Sequence, residues 1–369
     1  MPFDPHKALY IHIPFCLSRC NYCDFATASC KSDSKHVRKY LDNLMFEMRE
    51  SSKKGLLSEI ETVYIGGGTP THLGHKQLIE LLYFLSTMLY MKNVKEFTIE
   101  ANPESLTEEI VKDAWALGVN RISIGVQSFD DGVLNALGRA HDSDRAKQAV
   151  EVAKLRFENV SVDLMCGLPG QTESMWQKDL ETAVSLGVKH ISVYPLTIEE
   201  QTPFYKQCMK GQMSFPDEDL QADMMNDAER ILKPCGFERY EVASYAIPGF
   251  ESRHNISYWT GVPYLGFGRS AASMTQNDQR RMRIQDGVVT DDLNRAQMEA
   301  EDIMLMFRMS KGVGDSRIFQ ASNYLPELQN TLENLIEKGL IEHVDGRYVP
   351  TNKGWLCGNE LYGEIFDLA

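Results

Sequence analysis

The chain has 369 residues, 43% hydrophobic and 24% charged, a composition typical of a globular protein with room for a barrel-sized domain and a smaller one. Its formal net charge of −14 argues against non-specific nucleic-acid binding, which relies on a basic surface. No apolar run approaches the roughly 20 residues that cross a membrane, and the first strand begins too early for a targeting segment. We therefore expect a cytoplasmic protein with no membrane span.

Short apolar strands alternate with amphipathic helices over the first 205 residues. The strands are predicted at 8–13, 62–65, 97–100, 121–125, 160–164 and 190–194, and the helices at 35–53, 75–90, 107–117, 143–156 and 173–186. This alternation predicts a parallel sheet buried on both faces. Six such units favour an α/β fold of the partial (β/α)6 TIM-like barrel type over a closed eightfold barrel.

The pattern changes beyond residue 205. A helix is predicted at 217–233, and residues 240–283 are aromatic and loop-rich without clear periodicity. Helices at 296–309 and 326–338 precede a hairpin that turns at Asp345-Gly346, which predicts a smaller, mostly helical, winged-helix-like C-terminal domain. The second of these helices is acidic, so we expect it to contact protein rather than DNA. The predicted domains are 1–205, 206–292 and 293–369.

Cys16, Cys20 and Cys23 stand in the spacing C-x3-C-x2-C directly after the first strand. Three thiolates on one loop can hold three corners of a cubane iron–sulfur cluster, which leaves the fourth iron for a small molecule. A structural zinc site normally has four protein ligands, and unrelated free cysteines rarely cluster on a polar loop. The trio therefore predicts a metal centre in a reducing compartment.

Polar and glycine-rich residues follow the other strands. Residues 66–70 read Gly-Gly-Gly-Thr-Pro, and Glu100, Gln127 and Asp163 lie at the ends of later strands. In such folds the loops after the strands form the rim on which sites are built. Each residue alone is typical of a loop cap, but together with the cysteine loop they predict a ligand site. The glycines would let exposed backbone groups hold a ligand ammonium or carboxylate, and Arg139 could engage a carboxylate.

These motifs, with Tyr10 six residues before Cys16 and the string Gly-Val-Gln-Ser-Phe, resemble the radical S-adenosylmethionine superfamily over nearly the whole chain. Within it they are similar to the group that contains oxygen-independent coproporphyrinogen III dehydrogenase and the HemW-type heme chaperones. The resemblance implies a [4Fe-4S] cluster on the three cysteines, with S-adenosylmethionine on the fourth iron and one-electron reduction of its sulfonium as the chemistry. It further implies that this cosubstrate contacts Tyr10, Gly67, Gly68, Thr69, Glu100, Gln127, Arg139 and Asp163.

Three features favour the chaperone branch. Phe25 stands where the dehydrogenase has a further cysteine, and only about seven residues precede the first strand, where the dehydrogenase has a substantial extension. The third is the segment 254–259, which resembles the H-N-x-x-Y-W heme signature of the HemW-type proteins. It implies a heme site formed by His254, Asn255, Tyr258 and Trp259, with the imidazole on iron and the rings against the porphyrin. A purely structural His254 is the alternative.

Two further groups could touch heme. Met304, Met306 and Met309 could serve as axial ligands but are more typical of core filling. Arg280, Arg281 and Arg283 could pair with heme propionates or form a solvated patch, and the sequence leaves both open.

The leading hypothesis is a heme chaperone, non-catalytic on a radical enzyme scaffold, that binds heme and transfers it to an unidentified acceptor protein. The alternative is an oxygen-independent coproporphyrinogen III dehydrogenase, an enzyme that decarboxylates propionates oxidatively. Heme degradation through radical methylation is a third hypothesis. We expect heme and a reductant such as a flavodoxin or ferredoxin as partners, no nucleic acid, and leave a homodimer open.

Overall fold

The computed structural model describes residues 2–369. The strands are β1 Ala8–Ile13, β2 Phe15–Cys16, β3 Ala28–Ser29, β4 Thr62–Gly67, β5 Glu96–Ala101, β6 Arg121–Gln127, β7 Asn159–Cys166, β8 His190–Pro195, β9 Glu238–Arg239, β10 Ser244–Ala246, β11 Tyr264–Phe267, β12 Ala272–Asn277, β13 Arg280–Gln285, β14 Val288–Asn294, β15 Val313–Gly314, β16 Ile341–Val344 and β17 Arg347–Pro350. The helices are α1 Lys35–Lys53, α2 Gly74–Met88, α3 Glu108–Ala116, α4 Asp131–Leu137, α5 Ser143–Lys154, α6 Glu173–Ser185, α7 Pro203–Met209, α8 Glu218–Leu232, α9 Arg253–Trp259, α10 Arg295–Met306, α11 Asp315–Ser322, α12 Leu328–Glu337, α13 Asn352–Leu356 and α14 Gly358–Phe366.

One twelve-stranded sheet organises the chain, in the order β14-β13-β12-β11-β1-β4-β5-β6-β7-β8-β10-β9. The six predicted strands, β1 and β4 to β8, lie side by side and parallel, which confirms the predicted α/β fold. A seventh parallel strand, β11, pairs with the free side of β1. The remaining strands add antiparallel edges at both sides.

The expectation of a loop-rich segment over 240–283 was wrong. That segment contains α9, β10, β11, β12 and the first part of β13. The strands were missed because β10 and β11 are only three and four residues long, and because most residues of β12 and β13 are half-buried, so no apolar alternation marks them. The predicted division at 205 and 292 stays a prediction, since the main sheet draws strands from both sides of residue 205.

The two faces of the parallel strands have different chemistry. One face carries the branched apolar side chains that pack beneath the helices in the main core, such as Leu9, Ile11 and Val63. The other face points into the barrel and is polar, and it includes Arg121 and His190, both essentially fully buried. Successive residues of a strand alternate between faces, so one strand can support the core and supply the site.

A second core joins α10, α11, α12 and α14 with the three-stranded sheet β15-β17-β16. The hairpin β16–β17 turns at Asp345 and Gly346, which have φ of 50° and 72°. Two consecutive left-handed residues are the requirement of a two-residue type I′ turn, so the Asp-Gly signal located the hairpin correctly. Among residues 2–369, no helix combines the length and apolar content needed to cross a membrane.

Candidate functional site at the rim of the barrel

The cysteine loop is fixed at both of its ends and in its middle. β2 pairs in parallel with β3, and the Cys30 N–H donates to the Cys16 carbonyl at 3.2 Å. Asn21 anchors the middle of the loop, because its side-chain amide donates to Ala136 O at 3.0 Å and its N–H donates to Leu137 O at 3.0 Å. The loop is therefore tied to the end of α4, and its three cysteines remain half-buried free thiols.

The three cysteines face a cavity of about 330 Å³ at the carboxyl ends of the parallel strands. Seven of the eight predicted cosubstrate residues line the same cavity: Gly67, Gly68, Thr69, Glu100, Gln127, Arg139 and Asp163. The rim prediction thus brought together residues that lie up to 147 positions apart in the chain, from Cys16 to Asp163.

Tyr10 lies lower in the barrel, outside this cavity. It lines a neighbouring cavity of about 310 Å³ together with Phe25, Gly67 and Glu100. Its hydroxyl bonds to His12 Nδ1 at 2.9 Å, and its ring stacks on Tyr64 with centroids 6.3 Å apart. Its predicted contact with the cosubstrate stays a prediction, and the shared residues Phe25, Gly67 and Glu100 show how near the two cavities are.

The glycine loop binds the cysteine loop with its own backbone. The N–H groups of Gly68 and Thr69 donate to Ile13 O and Phe15 O, both at 2.8 Å. A Cβ at Gly67, whose φ is 106°, would lie 2.3 Å from the His12 ring, and one at Gly68 would lie 2.7 Å from Phe15 O. The glycines are therefore required for close approach of the two loops. The N–H group of Gly67 is occupied as well, because it donates to Glu100. The predicted contact of this loop's backbone with a ligand ammonium or carboxylate stays a prediction.

A polar chain connects the glycine loop to Cys20. Asn102 donates from its amide to Thr69 Oγ1 at 3.0 Å and accepts from Arg139 Nη2 at 3.0 Å, while Arg139 Nη1 lies 3.4 Å from Cys20 Sγ. The Nε of Arg139 is buried without a partner among the described residues. Asn102 was missed in the sequence, although it directly follows β5 on the same rim. This guanidinium is suited to an anionic group next to the cysteines.

Gln127 adopts a backbone conformation unusual for a glutamine. Its φ is 70°, and the pairing of β6 with β7 shifts register between Gly125 and Gln127. Such a bulge re-aims a side chain, and strained residues of this kind cluster at functional sites. The Gln127 amide lies over Gly125, where an added Cβ would be 2.9 Å from its Nε2. The fold therefore holds this amide in the cavity.

Two half-buried carboxyl groups lie on the cavity wall. Glu100 accepts from the Tyr64 hydroxyl at 2.7 Å and from the Gly67 N–H at 3.0 Å, yet desolvation raises its pKa to about 7. Desolvation also raises the pKa of Asp163, which accepts from the Ser123 hydroxyl at 3.2 Å. Burial disfavours the ionised forms, and a cationic ligand in this cavity would favour them again by pairing with the carboxylates.

The thiols need a metal to become good ligands. Burial raises the pKa of Cys16 to about 11 and also raises the pKa of Cys23. A bound metal ion deprotonates such thiols outright. Within residues 2–369, no group of three or more histidine, cysteine or acidic side chains converges on a single ion. A cubane cluster uses one thiolate for each iron, so its ligands surround a larger object.

The segment 254–259 forms α9 at the opposite end of the barrel, below the amino ends of the strands. Ser252 caps the helix by accepting from the Asn255 N–H at 3.3 Å, and Glu96 accepts from the N–H groups of Arg253 at 2.7 Å and His254 at 3.1 Å. Glu96 begins β5, the strand that carries Glu100 at its other end. The predicted heme residues therefore lie across the barrel from the predicted cluster.

His254 is sealed inside the base of the barrel and only 1% exposed. Its Nδ1 bonds to Thr62 Oγ1 at 3.0 Å and its Nε2 to the Tyr258 hydroxyl at 3.1 Å, and its ring stacks on Tyr64 with centroids 5.1 Å apart. Burial lowers its pKa to about 3. With both nitrogens bonded, this imidazole reaches a heme iron only if α9 moves, so its ligand role stays a prediction. Trp259 instead lies under the guanidinium of Arg308, 5.2 Å from its ring centroid.

The two other groups considered for heme have partners of their own. Arg281 is 1% exposed and bonds to Glu301 at 2.5 Å and Asp302 at 2.7 Å, so it is not part of a solvated patch. Arg283 and Arg280 also pair with carboxylates. Met304 and Met306 pack on the second core, as expected of core filling.

Comparison with known proteins extends from the site to the whole chain. The profile of the Radical SAM superfamily matches residues 10–183. A protein named heme chaperone HemW from Bacillus subtilis (strain 168) is 35% identical over 376 residues, which cover 97% of this chain and 98% of that protein. A protein of the same name from Buchnera aphidicola is 32% identical over 98% of this chain and 99% of its own.

A solved structure shows the same fold. It is coproporphyrinogen III oxidase (HemN) from Escherichia coli, described as a radical SAM enzyme, with a TM-score of 0.80 and 22% sequence identity. The alignment covers 99% of this chain and 90% of that one. At this identity the likeness concerns the fold alone.

Proposed function

Since the chain belongs to the radical S-adenosylmethionine superfamily and, within it, to the HemW heme chaperone family, we propose that it binds heme and passes it to acceptor proteins. The observation that carries the proposal is the end-to-end match, because it includes the rim, α9 and the C-terminal elements together. A match restricted to the superfamily segment 10–183 would support the scaffold only.

The cofactors of this superfamily are a [4Fe-4S] cluster and S-adenosylmethionine. We propose Cys16, Cys20 and Cys23 as the cluster ligands. The fit rests on three half-buried thiols on one cavity and on the guanidinium of Arg139 beside them. When bound, the pair supplies one-electron reduction of a sulfonium.

The remaining rim residues would bind and orient the cosubstrate. Arg139 would hold its carboxylate, and the carboxyl groups of Glu100 and Asp163 would pair with its cationic groups, which would favour their ionised forms. Gln127 would donate from its fixed amide. Gly67, Gly68 and Thr69 would close the wall behind it, with Tyr10 below.

We propose α9 as the heme element, with His254, Asn255, Tyr258 and Trp259 as the residues of its motif. Ligation of iron by His254 would follow release of its bonds to Thr62 and Tyr258. We also propose a cytoplasmic location, since free rim thiols suit a reducing compartment. An acceptor protein, a flavodoxin or ferredoxin reductant, and a homodimer belong to the same proposal.

The dehydrogenase alternative has less support. Its structural counterpart is 22% identical, and Phe25, at the position of the dehydrogenase's further cysteine, is 64% exposed on the cavity. A phenylalanine cannot replace a thiol in any chemical role.

An anaerobic heme titration followed by Soret absorbance tests the proposal. We expect saturation at one heme per chain. The same protein, reconstituted with iron and sulfide and given coproporphyrinogen III, S-adenosylmethionine and reductant, should form no protoporphyrinogen IX. Absence of a Soret shift would contradict heme binding, and formation of protoporphyrinogen IX would establish the dehydrogenase instead.

A further inference from the structure

A cleft of about 490 Å³ opens at the base of the barrel, beside α9 and across the molecule from the cysteine loop. Lys7 and Lys95, which precede β1 and β5, lie on one side of it, and Ser310 and Lys311, which follow α10, lie on another. Its volume lies within the range of ligand pockets, roughly 300–1,000 Å³.

α9 presents two different faces. His254 and Tyr258, four residues apart, turn into the barrel and bond to each other. Arg253, Ile256 and Ser257 line the cleft instead. Residues three and four apart share a side of a helix, so the face of α9 that a ligand meets in this conformation is that of Arg253 and Ile256.

The cleft is basic in an acidic protein. Its lining has four cations, Lys7, Lys95, Arg253 and Lys311, against the two carboxylates Glu61 and Glu251, whereas the whole chain has a net charge of −14. Such a local excess of positive charge attracts anions.

Two of these cations are available to a ligand. Glu61 forms ion pairs with both Lys7 and Lys95, which occupies those two lysines. Arg253 and Lys311 are exposed, and neither side chain has a partner in the part of the chain that the structure describes.

The interior of the cleft is partly apolar. Ile256, Val262 and Met309 line it, and Met309 is 9% exposed. An apolar interior with two unpaired cations at its edge is complementary to a flat apolar ligand that carries two carboxylates.

We propose that this cleft binds a tetrapyrrole dicarboxylate, with its propionates on Arg253 and Lys311 and its ring against Ile256, Val262 and Met309. The inference rests on the proposed heme function, and it names a docking site that leaves the bonds of His254 intact. Charge-assisted pairing fixes the propionates, and burial of the ring supplies the apolar contact.

The test compares wild-type protein with R253E/K311E and with the matched double charge reversal K35E/K39E, which alters two exposed lysines on α1 outside the cleft. The probes are heme, iron-free protoporphyrin IX and protoporphyrin IX dimethyl ester, titrated by absorbance or fluorescence. We expect R253E/K311E to bind heme and protoporphyrin IX about tenfold or more weakly than wild type does. K35E/K39E should bind heme as wild type does, and the ester should bind to wild type and to R253E/K311E with equal affinity.

The outcomes distinguish the proposed cleft site from the proposed heme function. Equal heme affinity of R253E/K311E and wild type would overturn the cleft and leave the proposed function intact. If R253E/K311E lost affinity for the ester and for the free acid to the same extent, the cleft would be damaged rather than deprived of its charge pairs. This result would also overturn the inference. Failure of wild-type protein to bind heme would overturn the proposed function and, with it, this site.

Discussion

The same strands form both ends of the barrel, but the polar groups at the two ends differ in their hydrogen bonding. At the rim, Arg139 has a buried Nε without a partner in the described chain, and burial raises the pKa values of the Glu100 and Asp163 carboxyls. At the base, both ring nitrogens of His254 are bonded, one to Thr62 and the other to Tyr258. The difference indicates that the rim is built to receive a ligand, whereas His254 and Tyr258 close the interior of the barrel at the base and leave the cleft beside α9 open on the outside.

One side chain touches both ends. The Tyr64 hydroxyl donates to Glu100 at the rim side, and the Tyr64 ring stacks on His254 at the base. β5 makes a second connection, with Glu96 under α9 and Glu100 in the cavity. Substitutions at the rim, at the base and at the residues between them therefore test how the two ends differ.

Cys20→Ala should have the largest effect, at the rim. Removal of one of three thiolates leaves a cubane with two protein ligands, so we expect loss of nearly all cluster iron after anaerobic reconstitution, measured by iron and sulfide analysis. The matched control is Cys235→Ala, an exposed thiol outside the loop, which should retain four irons per chain. Full iron content in Cys20→Ala would remove this loop from the cluster site.

Glu96→Gln should destabilise the base. The carboxylate accepts from the N–H groups of Arg253 and His254 and from the Ser252 hydroxyl. An amide replaces one acceptor oxygen by a donor, so we expect a loss of about 2 kcal/mol in the free energy of unfolding. Urea unfolding would measure it against Glu59→Gln, an exposed position. Equal stability of the two variants would mean that the attachment of α9 to the base of the barrel does not depend on this carboxylate.

His254→Gln should change how stability depends on pH. The pKa of His254 is about 3 when folded and near 6.5 when unfolded, so the unfolded chain binds the additional proton between these values. The wild-type protein should therefore lose stability as the pH falls below about 6.5, with a contribution from this residue of about 1.4 kcal/mol per pH unit.

Urea midpoints at pH 7.5, 6.0 and 5.0 would show this difference as a flatter profile for His254→Gln. Parallel profiles of variant and wild type would show that the imidazole is not sealed in the base.

Tyr64→Phe should have the smallest effect, because it removes one hydroxyl and keeps the stack on His254. Loss of the bond to Glu100 should weaken S-adenosylmethionine binding to reconstituted protein by about two- to tenfold, with thermal stability close to that of wild type. Calorimetric titration would measure this, with the exposed Tyr83→Phe as control. Unchanged affinity for S-adenosylmethionine would show that the hydroxyl of Tyr64 does not contribute to the site at the rim.

The extent of prediction from sequence differs between the same two ends. The rim could be predicted, because apolar strands at regular spacing place residues such as Cys16 and Asp163 at one edge whatever their separation in the chain. The inward position of α9 could not be predicted from the sequence. Its polar and aromatic residues suit contact with heme as well as they suit hydrogen bonds to Thr62 and Glu96. Asn102 and the left-handed Gln127 depend on neighbours that only the fold brings near.

Heme titration of Cys20→Ala tests the central claim most directly, because it asks whether the two ends act at separate sites. The account predicts that the cluster-free variant binds one heme per chain with an affinity within about twofold of wild type, a difference of less than 1 kcal/mol. Loss of heme together with the cluster would place heme at the rim and contradict the account.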